Sequence, residues 1–310
     1  MRSGHPRAHA AAASFWHESY RELRRHAGDD RLPYRLRVRL RGAADRAFAR
    51  HAREEARAVV PLCDRRAIRT AARVELPAAD IQAARELATA LGVSVDRPLV
   101  TIEPGRRADL LAGALEILAR EGCQMVRIGN PSAGPLRRPG VLDVTASPHR
   151  TPALMTHLLL TSTFVICSSA DLQQQAYLTH TPSLRIDARD PFTAFPVRPD
   201  GLFTLATPVD LDTGRALAIP ELLTERYFRN TRNYGYRGTG AGDIAAAVGE
   251  MLDGVRHGWR DSDAQARFRG VVADAGTRLG PHVRHIAEWD AAGGFVGDGR
   301  LARVQAERAL

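Results

Sequence analysis

Lysine is absent from the chain, so all 44 of its basic residues are arginine. A protein without lysine cannot form a pyridoxal Schiff base, complete a Walker A phosphate loop or supply a kinase strand lysine in cis. Cysteine is scarce: Cys63, Cys123 and Cys167 are odd in number, far apart and without C-x-x-C spacing. That excludes a disulfide framework and a zinc cluster, and leaves small buried hydrophobes in a reducing compartment as the expectation. No run reaches the roughly 18 apolar residues of a membrane span. The longest apolar stretch, residues 153–167, is broken by His157, Thr161, Ser162 and Thr163. The N-terminus lacks the apolar core of a signal peptide, so a cytoplasmic location is expected, with peripheral attachment to the inner face of the membrane as the alternative.

What is present suffices for a sizeable core, since 44% of the 310 residues are hydrophobic. The formal charge of +9 lies wholly at one end: residues 1–75 hold 18 Arg against 9 acidic residues, and the remainder holds 26 against 26. The expected organisation is a smaller, basic, mainly helical region at 1–95, an α/β domain at 96–258, and C-terminal helices at 259–310 packing back on the core. In the first region Tyr34, Leu36, Val38 and Leu40 alternate with Arg35, Arg37, Arg39 and Arg41, the period of a half-exposed strand with a basic outer face. Such a face suits solvent, nucleic acid or an anionic membrane surface. Residues 43–60 and 78–91 read as helices.

The stretch from Pro98 to Asp187 alternates short apolar runs with helical patterns. The runs are 99–102, 125–128, 141–144, 164–167 and 183–186, each of strand length and rich in β-branched residues. Between them lie helices predicted from apolar spacing over 108–120, stopped by Gly122, from the Thr151-Pro152 start, and after Ser168-Ser169. This alternation predicts an α/β fold with a doubly wound, mostly parallel, Rossmann-like sheet. In such sheets ligands bind beyond the carboxyl ends of the strands. Those ends are Glu103 to Arg107, Gly129-Asn130-Pro131, Thr145 to His149, Ser168 to Asp171, and Asp187 to Asp190. Ser168 and Ser169 either cap a helix or present its amides to an anion. Arg127 interrupts a run that the pattern buries on both faces, which demands an ion pair or a ligand.

Further on, Leu202–Ala206 reads as a sixth strand and 191–198 as a loop. Asp210 and Asp212 form a D-x-D pair that holds a metal in some sugar transferases, but they sit beside a Gly turn with no apolar strand ending on them, so an exposed turn is expected. The run Gly238-Thr239-Gly240-Ala241-Gly242 follows a polar stretch instead of a strand, so it predicts a flexible helix start and not a dinucleotide loop. Helices follow at 244–255, 261–279 and 301–310.

Taken together, Val126-Arg127-Ile128-Gly129-Asn130-Pro131, Val141-Leu142-Asp143, Phe164 to Ser169, Thr181-Pro182, Asp212 to Leu217 with Glu221, and Asp243-Ile244 with Glu250-Met251-Leu252 resemble bacterial glycosyltransferases of the GT-B type. The resemblance covers the C-terminal, nucleotide-sugar-binding half of that family, over residues 97–255. It departs where Glu103 to Arg107 replaces a His-x-Arg motif and where the acceptor domain is reduced. The resemblance implies sugar transfer from a nucleotide diphosphate donor to an acceptor it does not identify. The donor is a substrate, no cofactor is needed, and no metal is essential. It assigns donor binding to Arg106, Arg127, Gly129, Asn130, Asp143, Ser168 and Ser169. Glu103 and His149 are the candidate catalytic groups, with Asp109 and His157 as further bases. The alternatives are an inactive relative and a non-catalytic basic module, whose N-terminal region binds an anionic surface or polymer.

Overall fold

A computed structural model describes residues 72–103, 108–129, 136, 138–145, 147–229, 234–283, 286 and 297–309, with scattered positions between 19 and 47. The expected strand at 34–41 lies mostly outside these residues. Where it is described, at Arg39 and Leu40, the backbone is helical, as are the described positions from Gly42 to Ala47. Arginine and leucine are both good helix formers, and helix propensity prevails over the alternating pattern there.

The centre is a seven-stranded sheet. Its strands are β1 (Leu99–Glu103), β2 (Gln124–Arg127), β3 (Val141–Asp143), β4 (Phe164–Cys167), β5 (Ser183–Ala188), β6 (Gly201–Leu205) and a two-residue β9 (Arg300–Leu301). They lie in the order β3-β2-β1-β4-β5-β6-β9, and every neighbouring pair is parallel. A ribbon of β7 (Thr207–Asp210) and β8 (Tyr234–Arg237), paired antiparallel, continues from β6. Strands buried on both faces show as unbroken apolar runs, and all four residues of β4 are fully buried.

Helices cover both faces. On one side, α2 (Ala112–Arg120) and the long α8 (Ala241–His257) pack on Val100, Ile102, Met125, Phe164, Ile166 and Leu184. On the other, α1 (Ala78–Ala90), α3 (Pro152–Thr161) and α4 (Ala170–Leu178) enclose Leu99, Val126, Ile128, Val165 and Cys167. Short helices α5 (Pro191–Ala194), α6 (Ile219–Leu222) and α7 (Glu225–Arg229) follow β5 and β7. Finally α9 (Asp263–Leu279) and α10 (Arg303–Ala309) cover Phe203, Leu205 and Leu301. Each fully buried Ile, Leu or Phe adds about 1.5–3 kcal/mol.

The predicted stops hold: Thr151 Oγ1 accepts from the Leu154 N–H, with Pro152 in the first turn, and Gly122 ends α2 at φ +73°. Six short elements escaped prediction: β7, β8, β9, α5, α6 and α7. A strand, β7, does end at Asp210, and another, β8, does precede the glycine run, because Tyr234 and Tyr236 give that polar stretch enough strand propensity to pair with β7. Residues 191–194 are helical, started by Asp190, whose Oδ1 accepts from the Phe192 N–H. Among the described residues no helix is long and apolar enough to cross a membrane.

Candidate functional site

The strand order reverses between β1 and β4, and an open parallel sheet forms its ligand crevice outside the carboxyl ends at such a reversal. Here the register sets one row of residues across four strands: Glu103 of β1 opposite Cys167 of β4, Cys167 opposite Arg185 of β5, and Arg185 opposite Phe203 of β6. The first turn of α4 begins directly beyond this row.

Glu103 is the hub. Its Oε2 accepts from the Ser169 backbone N–H at 3.0 Å, across 66 residues of sequence. Its stem lies on Gly129, where φ is +110° and an added Cβ would come within 2.8 Å of Glu103 Cγ. Glycine is therefore required at 129 both by conformation and by space. Ser169 caps α4, its Oγ accepting from Leu172 N–H at 3.2 Å, with Ser168 half-buried beside it. The helix N-terminus thus already holds an anion, and the anion is the protein's own carboxylate.

Arg127 and Asp143 meet on the opposite face of the sheet. The guanidinium is 2% exposed, and its NH1 donates to Asp143 Oδ2 at 2.7 Å. The other Asp143 oxygen accepts from the Thr145 N–H and hydroxyl, while Leu136 N–H reaches Oδ2. Burial by itself would raise the Asp143 carboxyl, but the Thr145 hydroxyl, the Leu136 and Thr145 amides and Arg127 together hold it below the ordinary value. Of the two roles open to Arg127, the ion pair is the one formed.

The remaining sequence candidates are dispersed. Arg106 and Asn130 lie outside the described residues. His149 is exposed in the turn after β3, its N–H bonded to Ser147 Oγ. Asp109 is exposed in a 3-10 turn before α2. His157 is half-buried on α3, which packs against α1, and burial and Arg85 push its imidazole down. Cys167 is no nucleophile: burial pushes its thiol up to about 12. Both described cysteines, Cys123 and Cys167, are free and buried, and Cys63 lies outside the described residues.

In the D-x-D pair, Asp210 Oδ1 accepts from the amides of Asp212 and Thr213, an Asx turn that closes the end of β7. Among the described residues no group of three His, Cys, Asp or Glu side chains is placed to hold a metal. A cavity of about 330 Å³ lies elsewhere, along α8 beside Glu250, Asp253, Trp259 and Arg303. Its half-buried carboxylate, Glu250, already accepts from Gln265 Nε2 and Arg303 N–H, and Arg300 stacks on Trp259 at 4.4 Å. With those groups satisfied, the cavity is a weaker candidate than the sheet edge.

No family model, curated protein or solved structure matches the chain. The site therefore rests on geometry.

Two residues at the edge, Arg185 and Gln173, escaped the sequence reading, and Asp187, at a strand end the sequence marked, has a backbone conformation it did not show. Arg185 of β5 donates through NH1 to Gln173 Oε1 at 3.1 Å. Asp187 carries φ +59° in a β-bulge that shifts the β5–β6 register. Its Oδ1 accepts from Thr239 N–H at 2.6 Å, and its own N–H donates to Thr204 Oγ1. This ties the ends of β5 and β6 to the start of α8. Bulges and left-handed non-glycine residues collect beside functional sites, where they re-aim side chains. The available signal was an arginine inside a predicted central strand, the same signal that drew attention to Arg127.

Proposed function

We propose that the chain transfers a glycosyl group from a nucleotide diphosphate donor, held at the carboxyl edge where the strand order reverses between β1 and β4. The observation that supports this best is Glu103, a carboxylate stationed at that reversal between Gly129 and the capped start of α4. The loop beyond β1 carries a single glycine, Gly105, and two arginines, which favours a nucleotide with exposed phosphates over a dinucleotide on a G-x-G-x-x-G turn.

In this reading Glu103 exchanges its contact with Ser169 N–H for the acceptor hydroxyl and takes its proton. The hydroxyl oxygen attacks the anomeric carbon as the bond from that carbon to the diphosphate oxygen breaks. The charge that develops on the leaving diphosphate is met by backbone amides and guanidinium groups at the edge. No metal ion is required for this division of labour.

Thermal stabilisation by a panel of nucleoside diphosphates and their sugar conjugates tests the proposal. One nucleotide series should raise the midpoint, by about 2.7 kcal/mol of stability at a hundredfold excess over Kd. Glu103→Gln should lower transfer by roughly 10²–10⁴-fold while the donor still binds. Transfer should persist in excess chelator, and loss restored by manganese would overturn the metal-independent part. No stabilisation by any nucleotide, together with no transfer, would overturn the proposal.

A further inference from the structure

The other described arginines that are buried or half-buried are paired with acids: Arg127 with Asp143, Arg198 with Asp200, and Arg269 and Arg300 with Asp261. Arg185 has no such partner among the described residues. It is half-buried in the sheet, in register with Cys167 and Phe203, and it is held only by the neutral amide of Gln173. Gln173 is 4% exposed. Two buried donors in this pair have no acceptor, Arg185 Nε and Gln173 Nε2. Each sits on the same planar group as the atom that makes the Arg185–Gln173 contact, so both orphan donors belong to one small polar island under the first turns of α4. Glu103 does not neutralise it, being two strands away, roughly 9–10 Å by strand spacing, and bonded to Ser169.

A half-buried guanidinium without a counter-charge, with its own Nε and the neighbouring Gln173 Nε2 unfilled, is costly, because polar groups removed from water are normally satisfied and charges paired. The cost is removed by an oxyanion that supplies both the missing charge and the missing acceptors. Guanidinium groups match phosphate in particular, through forked N–H donors.

We propose that Arg185 and Gln173 form a binding site for a phosphate-type oxyanion, opening to the carboxyl edge beside α4. On the donor reading above, on which the identity of the ligand rests, that oxyanion is the diphosphate of the nucleotide sugar. Arg185 then takes the diphosphate that the resemblance assigned to Ser168, Ser169, Arg106 and Arg127, and Glu103 leaves the Ser169 N–H only for the acceptor hydroxyl.

Calorimetric titration of the full chain with pyrophosphate and with uridine, guanosine and adenosine diphosphates tests this, using wild type, Arg185→Gln and Gln173→Glu. The wild type should bind pyrophosphate. Loss of the charged contact in Arg185→Gln should weaken it roughly 10- to 100-fold. Gln173→Glu places a carboxylate against the guanidinium, so it should raise the unliganded melting midpoint and abolish pyrophosphate binding. It decides the matter alone if Arg185→Gln does not fold. Unchanged affinity in either folded variant, or a wild type that binds no phosphate compound, overturns the site. If pyrophosphate binds through Arg185 but no nucleoside diphosphate binds better, the site stands and the donor reading falls. A nucleotide that binds wild type and Arg185→Gln equally leaves the donor reading standing and removes this site.

Discussion

Arg127 and Arg185 stand within one residue of the same level in the sheet, on opposite faces, and they have been treated differently by the fold. Arg127 on β2 is buried against Asp143, whose oxygens also gather the Thr145 and Leu136 donors, so its charge is paired on that side of the edge, although its Nε finds no acceptor. Arg185 on β5 meets only the neutral amide of Gln173 and has no acidic partner among the described residues, and each of the two groups leaves one donor open. A buried charge that finds its partner within the chain is architecture. One that does not is a demand for something outside it. Glu103 marks the division, filling the helix N-terminus that lies between them.

The contrast breaks most visibly in stability. Arg127→Met strands the Asp143 carboxylate and should cost about 3 kcal/mol, the low end for removing one partner of a buried pair because Asp143 keeps its other donors. Arg185→Gln should cost less, about 1 kcal/mol, because one hydrogen bond to Gln173 and no ion pair is lost. Urea midpoints of the two variants read this directly, and equal losses would abolish the distinction. Next in size, Gly129→Ala should cost about 1–3 kcal/mol, since φ is +110° and the new Cβ would strike the Glu103 stem. Its unfolding midpoint should fall even with no ligand present.

Acid sharpens the same comparison. Asp143 is held below its ordinary value, so the stability it contributes is complete above the unfolded carboxyl value near about 3.9 and is lost as pH falls through the lower folded value. Wild type should therefore lose stability below about pH 4, and Arg127→Met, which removes one of the groups that lower Asp143, should lose less over that range. The smallest effect is expected at the exposed Arg215–Glu221 pair. Arg215 holds the Glu221 carboxyl down at about 2, yet both partners face solvent. Glu221→Gln should shift the midpoint by less than about 1 kcal/mol.

The sheet was legible because strands covered on both faces must be apolar throughout, and the runs at 99–102 and 164–167 state this in four letters each. Caps at Thr151 and stops at Gly122 were legible because their chemistry is local. The elements that escaped are those whose cause is elsewhere: β9 has two residues, and β8 owes its form to β7. The anion seat before α4 was recognised from Ser168 and Ser169, but its occupant, Glu103, arrives from 66 residues away. Arg185 was missed because Ser183-Leu-Arg-Ile reads as ordinary alternation, whereas its neighbour Cys167 on a fully buried strand shows how deep that position lies.

The central claim is that the open half of the sheet edge, and not the closed half or the cavity along α8, receives a nucleotide diphosphate. Backbone amide shift mapping of the full chain during titration with uridine, guanosine or adenosine diphosphate addresses it directly. The nucleotide that binds should perturb Ser168 to Gln173 and Arg185 to Arg189, and leave Asp143 to Thr145 and Gly254 to Trp259 unmoved. Perturbations confined to Trp259 and its neighbours, or none along the edge with any of the three nucleotides, would contradict it.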